Sequence, residues 1–147
     1  MKKEVLICIS GAVAADTDEN VDVFCPGEYH YRNGKHFLRY EEKIDNDSLQ
    51  VDTVCMLKFN QESAELTKKG VVNSKFYYEP GQEQRVSYAT PYGDFVFDIK
   101  TDDLRLVESE HELQLEIDYV IQFTTEERSV FHLKIRVSDE PERILPE

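Results

Sequence analysis

The chain has 147 residues, 40% hydrophobic and 32% charged, and its 30 acidic residues outnumber 17 basic ones for a formal net charge of −13. That length suits one domain with a core large enough to fold without staples. The acidity repels phosphate backbones and anionic lipid, and no apolar run is long enough to cross a bilayer as a helix, so nucleic-acid and membrane partners are excluded from the expectation.

Taken in chain order, Met1-Lys2-Lys3 leads into Val5-Leu6-Ile7-Cys8-Ile9. The start is basic and then apolar as in a signal peptide, but the run is short and alternates, which predicts a strand. Val21 and Val23 alternate around Asp22, and Pro26-Gly27 predicts a bulge or corner. Asn33-Gly34 is the dipeptide that most readily forms a type I′ hairpin turn. With Arg32 opposite Lys35, Tyr29, Tyr31, His36, Leu38 and Tyr40 share an inward face, while His30, Phe37 and Arg39 point outward.

Leu49, Val51, Thr53, Cys55, Leu57 and Phe59 form the next apolar row, on which Cys55 reads as packing rather than a reactive thiol. Short strands follow around Ala64 and Leu66, then from Val72 to Tyr78 after Lys69-Gly70. Pro80-Gly81 turns the chain into Val86, Tyr88 and Thr90. Pro91-Tyr92-Gly93 breaks it before Phe95, Phe97 and Ile99, and Thr101-Asp102-Asp103 turns it toward Leu104 and Leu106. The longest alternation runs from Leu113 to Phe123 and is answered by Phe131, Leu133, Ile135 and Val137 as a hairpin. Residues 139–147 carry no period and are expected to form a flexible C-terminal tail on a single domain of residues 1–138.

Period two recurs from end to end and helical periodicity is nowhere convincing. The expected class is all-β, a single antiparallel up-and-down barrel of about 8–10 strands; a sandwich would leave edges to protect, and closure removes them.

Chemistry is sparsely signalled. Cys8, Cys25 and Cys55 are an odd set with no metal or redox spacing, which favours a reducing compartment, the cytoplasm. His30 and His36 fall on opposite faces of their hairpin, His132 is expected in solvent, and Glu110-His111-Glu112 reads as an exposed turn, so no metal site is expected. His36 is expected to be a hydrogen-bonded core histidine. No Gly-x-Ser-x-Gly, phosphate loop or His-Glu-x-x-His is present, so no cofactor and no catalysis are expected. The adjacent pairs Glu41-Glu42 and Asp102-Asp103 face opposite ways on a strand. The inward tyrosines remain. Each hydroxyl is costly to bury unsatisfied, so they imply an internal network, a partly hydrated cavity or hydroxyls reaching water at the rims.

Gly27-Glu28-Tyr29 before the Asn-Gly hairpin, Leu38-Arg39-Tyr40-Glu41-Glu42, Lys69-Gly70, Phe76 with Pro80-Gly81, and above all Tyr88-Ala89-Thr90-Pro91-Tyr92-Gly93 followed by Ile99-Lys100-Thr101 resemble the YwiB-like family. These are small bacterial proteins of a domain of unknown function. The resemblance spans nearly the whole chain and implies a lipocalin-like, calycin-type barrel; a fold of that kind does not fix a function.

Together these readings lead to the expectation of a noncatalytic cytoplasmic barrel that binds a small, partly apolar molecule in its mouth. The candidate ligand-binding residues are Tyr29, Tyr40, Glu42, Arg85, Tyr88, Thr90 and Tyr92. The competing reading of Thr90–Gly93 is a structural strand corner. Two alternatives are carried: an interaction or homodimer module using the outward Phe37, Val54, Met56, Val96 and Val120, and an enzyme, which needs Glu42, His36 or Arg85 to converge.

Overall fold

The structure, a computed structural model, describes residues 1–13, 21–42, 53–123 and 126–146. Ten strands follow in order: β1 (Glu4–Val13), β2 (Val21–Arg32), β3 (Lys35–Glu42), β4 (Thr53–Phe59), β5 (Ala64–Gly70), β6 (Ser74–Tyr78), β7 (Glu83–Thr90), β8 (Gly93–Glu108), β9 (Glu112–Gln122) and β10 (Arg128–Ser138). Leu49 and Val51, expected at the start of β4, lie outside the described residues. No helix among the described residues is long and apolar enough to cross a membrane.

The sheet order is β6-β5-β4-β3-β2-β1-β10-β9-β8-β7, with every pairing antiparallel. Chain neighbours are therefore sheet neighbours, and β10 returns to lie beside β1. The sheet's two outer strands, β6 and β7, meet through a bridge between Asn73 and Ala89, whose backbone groups exchange two 3.0 Å hydrogen bonds. The architecture is a nearly closed antiparallel up-and-down barrel.

Alternation decides which side chains fill it. Ile7, Leu38, Leu57, Phe59, Val86, Ile99, Leu115, Ile117 and Val137 are all but completely buried in one cluster. Asn33 and Gly34 take positive φ values of 53° and 76°, and Arg32 pairs with Lys35, as the type I′ register requires. Tyr29, His36, Leu38 and Tyr40 are buried accordingly. Tyr31 departs from the expected row and is 60% exposed. It is the last inward position before the turn, where no opposing wall remains, and its ring rests against His36.

Two expected interruptions resolve differently. Thr101-Asp102-Asp103 does not end a strand: β8 runs through it with a register shift between Thr101 and Asp103 opposite β9. The extra residue changes the phase, so the inner row passes from Phe97, Ile99 and Thr101 to Leu104 and Leu106. Pro26-Gly27 likewise does not bulge, since β2 pairs with β1 in unbroken register from Val21 to Glu28. The β2–β3 ladder instead stops at Gly27–Tyr40. Along β2 the odd residues bond toward β1, as Tyr29 N–H does to the Lys3 carbonyl, so Pro26 would have had to donate toward β3 and has no N–H to give. Gly27 in turn leaves room for Ile7. A Cβ there would collide with Ile7 Cδ1 and stand 3.0 Å from the Arg39 carbonyl.

The barrel end that carries the Asn33–Gly34 hairpin is sealed by polar groups. His36 Nε2 bonds the Glu108 carboxylate from across the barrel, and His36 Nδ1 lies 2.8 Å from the Tyr29 hydroxyl. In the neutral ring Nε2 carries the proton given to the carboxylate, and Nδ1 accepts from Tyr29. Gln61 Nε2 donates to the Leu106 carbonyl at 3.0 Å and to Glu108 Oε2 at 3.2 Å. His36 is thus the hydrogen-bonded core histidine that its strand position predicted.

After β10 the chain lies back on the outer wall. Ser138 Oγ donates to carbonyls of the His111 and Glu140 residues, Arg136 Nη2 donates to the Arg143 carbonyl, and Ile144 is buried beside Cys8.

Two predictions follow from packing and charge. Gly27→Ala should destabilise the barrel by about 1–3 kcal/mol through overpacking, and Ile7→Val in the same chain should recover part of that loss; urea denaturation of the four combinations measures the coupling. The hydrogen bond from His36, ahead of the opposing effect of burial, holds the Glu108 carboxyl below its usual range. Glu108 therefore adds stability that is complete above its unfolded pKa and disappears as pH falls through the lowered folded value. The stability gap between the native chain and Glu108→Gln should be full near pH 7 and narrow progressively as pH falls below the ordinary glutamate value of about 4.3, as read from urea midpoints.

Candidate functional site

Where the β2–β3 ladder ends, the wall opens. Among the described residues the last β2–β3 pair is Gly27–Tyr40, and Pro26 and Cys25 lie past it beside Glu41 and Glu42, which pair with β4. A cleft of about 810 Å³ occupies this stretch and takes its lining from residues 23–28 of β2, 39–42 of β3 and Glu4, Val5 and Ile9 of β1. Strand alternation assigns Ile9, Val23, Cys25, Tyr40 and Glu42 to the inner row and Phe24, Pro26, Glu28 and Arg39 to the outer one, so the cleft draws on both faces of the sheet. Its volume lies within the usual range of small-molecule pockets.

Electrostatics in the inner part are dominated by one ion pair. Lys68 Nζ of β5 donates to both carboxylate oxygens of Glu42, at 3.0 and 3.3 Å. Cys25 and Cys55 flank this pair as free thiols. Burial, and then the Glu42 charge, pushes Cys25 up to about 11 and Cys55 up to about 12, so both stay protonated near neutral pH and unsuited to nucleophilic work. Burial likewise raises the Tyr40 hydroxyl well above its ordinary value.

Of the seven residues singled out in the sequence, the structure brings Tyr40 and Glu42 together at this cleft. Tyr29 lies in the His36 seal at the other end of β3. Tyr88 is half-buried in an aromatic group on the opposite wall, with ring centroids 6.1 Å from Phe76 and 6.4 Å from Phe97. Arg85 points outward and bonds Asp98 at 3.1 Å. Thr90 and Tyr92 belong to the β7–β8 turn: Thr90 Oγ1 donates to the Gly93 carbonyl at 2.8 Å and accepts from Tyr92 N–H at 3.1 Å, while the Tyr92 side chain is 95% exposed. These bonds, with Gly93 at φ 129°, make a strand corner. Glu42, His36 and Arg85 do not converge.

Sequence reasoning missed Ile9, Val23 and Cys25 as cleft residues. The signal was Pro26, which was read as a bend in its own strand and not as a missing donor for the next.

Other polar groups cluster away from the cleft. His111, Asp139 and Glu140 bring ligating atoms within 4.8 Å of one another. Each is already engaged: Asp139 bonds His111 Nδ1 at 3.1 Å and accepts from the Lys2 N–H at 2.9 Å, and Glu140 pairs with Arg143. The group works as a clasp for the C-terminal segment, and His111 is half-buried in it, not free in a turn. His132, expected in solvent, is also half-buried and bonds Asp118 at 2.6 Å. On the inner face, Thr101 Oγ1 and Gln84 Oε1 are buried without a partner.

No curated protein matches the chain. Among solved structures, the crystal structure of the ywiB protein from Bacillus subtilis superposes with a TM-score of 0.77, covering 92% of this chain and 91% of that one at 14% identity, which establishes a shared fold. A family model, the domain of unknown function DUF1934, matches residues 7–135, and the chain belongs to that family.

Proposed function

We propose that this barrel is a binding protein that takes a small, partly apolar molecule into the cleft between β2 and β3 and performs no chemistry on it. The observation that carries the reading is the 810 Å³ cleft, which opens beside the cluster of buried apolar side chains. Ile9, Val23 and Cys25 offer it an apolar inner surface, and Glu42 with Lys68 supplies the polar groups that orient a ligand. The thiols that line or flank the cleft are held protonated, and the His36 seal is committed to closing the far end, so neither supports catalysis. Three free cysteines suit a cytoplasmic, reducing setting.

The chain lacks tryptophan, so Val23→Trp places a single reporter at the cleft, where Val23 is 52% exposed. Titration with n-octanol should give a saturable blue shift, and adding Ile9→Asp should weaken binding at least tenfold, about 1.4 kcal/mol. A shift that never saturates up to the solubility limit defeats the reading. Mass spectrometry of molecules copurifying with the native chain gives the natural occupant.

A second reading, an interaction module, is favoured by the β7–β8 hairpin, where Tyr92, Phe95 and Val96 are all exposed within five residues. The five outward residues named from the sequence divide between two places, with Phe37, Val54 and Met56 on β3–β4 and Val96 and Val120 on β8–β9, and Val120 is buried. If the hairpin mediates a homodimer, sedimentation of the native chain should show it, and Val96→Asp should return it to monomer. A native monomer discards this reading.

A further inference from the structure

The class of ligand follows from the charges around the cleft, an inference that rests on the binding role proposed above. Four carboxylates, Glu4, Glu28, Glu41 and Glu42, line the cleft against one guanidinium, Arg39. Lys68 answers Glu42 at 3.0 Å, and Arg39 reaches Glu41 at 3.5 Å. Glu4 and Glu28 are left over. They stand directly opposite one another as partners in the β1–β2 ladder, both exposed, and neither has an ion-pair partner among the described residues. Like charges placed opposite one another weaken an antiparallel pair, and although Arg39 stands across from Glu28 in the β2–β3 ladder, the outer row of the cleft still holds three carboxylates to one guanidinium.

The apolar surface lies on the same face. Phe24 and Pro26 are outer-row residues of β2, as Glu28 is, and line the same cleft as Ile9 and Val23. We propose that the cleft takes a small amphiphilic cation, with its ammonium group between Glu4 and Glu28 and its apolar body along Phe24 and Pro26. The Phe24 ring adds a cation–π partner, and the net charge of −13 concentrates cations around the whole molecule. A carboxylate-headed molecule of the same length meets the two unpaired carboxylates and is disfavoured.

Calorimetric titration of the unmodified chain with n-octylammonium, n-octanol and n-octanoate, below their aggregation limits in 50 mM salt at pH 7, separates head group from tail. Octylammonium should bind at least tenfold tighter than octanoate, with octanol between them, and the gap should narrow in 0.5 M salt. The variant Glu4→Gln/Glu28→Gln, checked for native fold by circular dichroism, should cut the gap to under threefold, chiefly by weakening octylammonium. Octanoate binding as tightly as octylammonium, or a gap that survives in the double variant, overturns the cation and leaves the binding role standing if octanol still binds. Failure of all three probes removes the binding role itself, and a dimer in sedimentation that dissociates on octylammonium addition assigns the cleft to a second copy and overturns the proposal.

Discussion

Every N–H in the wall of an antiparallel barrel needs an acceptor on the next strand, and Pro26 has no N–H to offer. From that one deficit follows the end of the β2–β3 ladder at Gly27–Tyr40, and the cleft lies beside that end. Gly27 sits at the boundary because the last paired residue must also let Ile7 pass across it. The opening is therefore built from a strand break that leaves the opposite ladder, β1 with β2, untouched. A bulge would have twisted both neighbours; a proline facing a single neighbour costs the barrel pairing on one side only.

The two ends of β3 show how differently polar groups can serve such a wall. At one end, His36 spans from Tyr29 to Glu108 and satisfies the buried polar atoms that would otherwise face an apolar interior. At the other, Glu42 and Lys68 form an ion pair beside open space, and the carboxylates of the outer row exceed the cations near them. The first arrangement closes a container. The second leaves a charged opening in it, where cavity, apolar surface and unbalanced charge coincide. Membership of a family without known function adds a fold and no chemistry, so the functional argument rests on this opening.

The fold was largely legible because side-chain alternation is a local property. The Asn33–Gly34 register, the inward row of Leu38, Leu57, Leu115 and Val137, and the long β9–β10 hairpin could all be read from spacing alone. Local reading failed where a residue acts on a strand other than its own. The phase change at Asp102 requires knowing that β9 holds its register while β8 does not. Pro26 requires knowing which neighbour its missing donor faces. The candidate site suffered most from this, since tyrosines on one inward row are distributed around a closed surface: Tyr29, Tyr40 and Tyr88 are alike in sequence pattern and lie in three different places. The tight Thr90–Gly93 corner drew attention through its composition, and its side chains spend their hydrogen bonds on one another.

The chain's first and last strands are neighbours in the middle of the sheet, with Leu6 beside Ser138. During synthesis, β1 can find β2 as soon as both have left the ribosome, but its other edge stays bare until β10 has emerged. The pairing that finally covers that edge is the most distant in sequence among these strands, the kind that forms slowly. A chain stopped short of β10 would leave that edge bare, which makes β10 a requirement for joining the two halves of the wall.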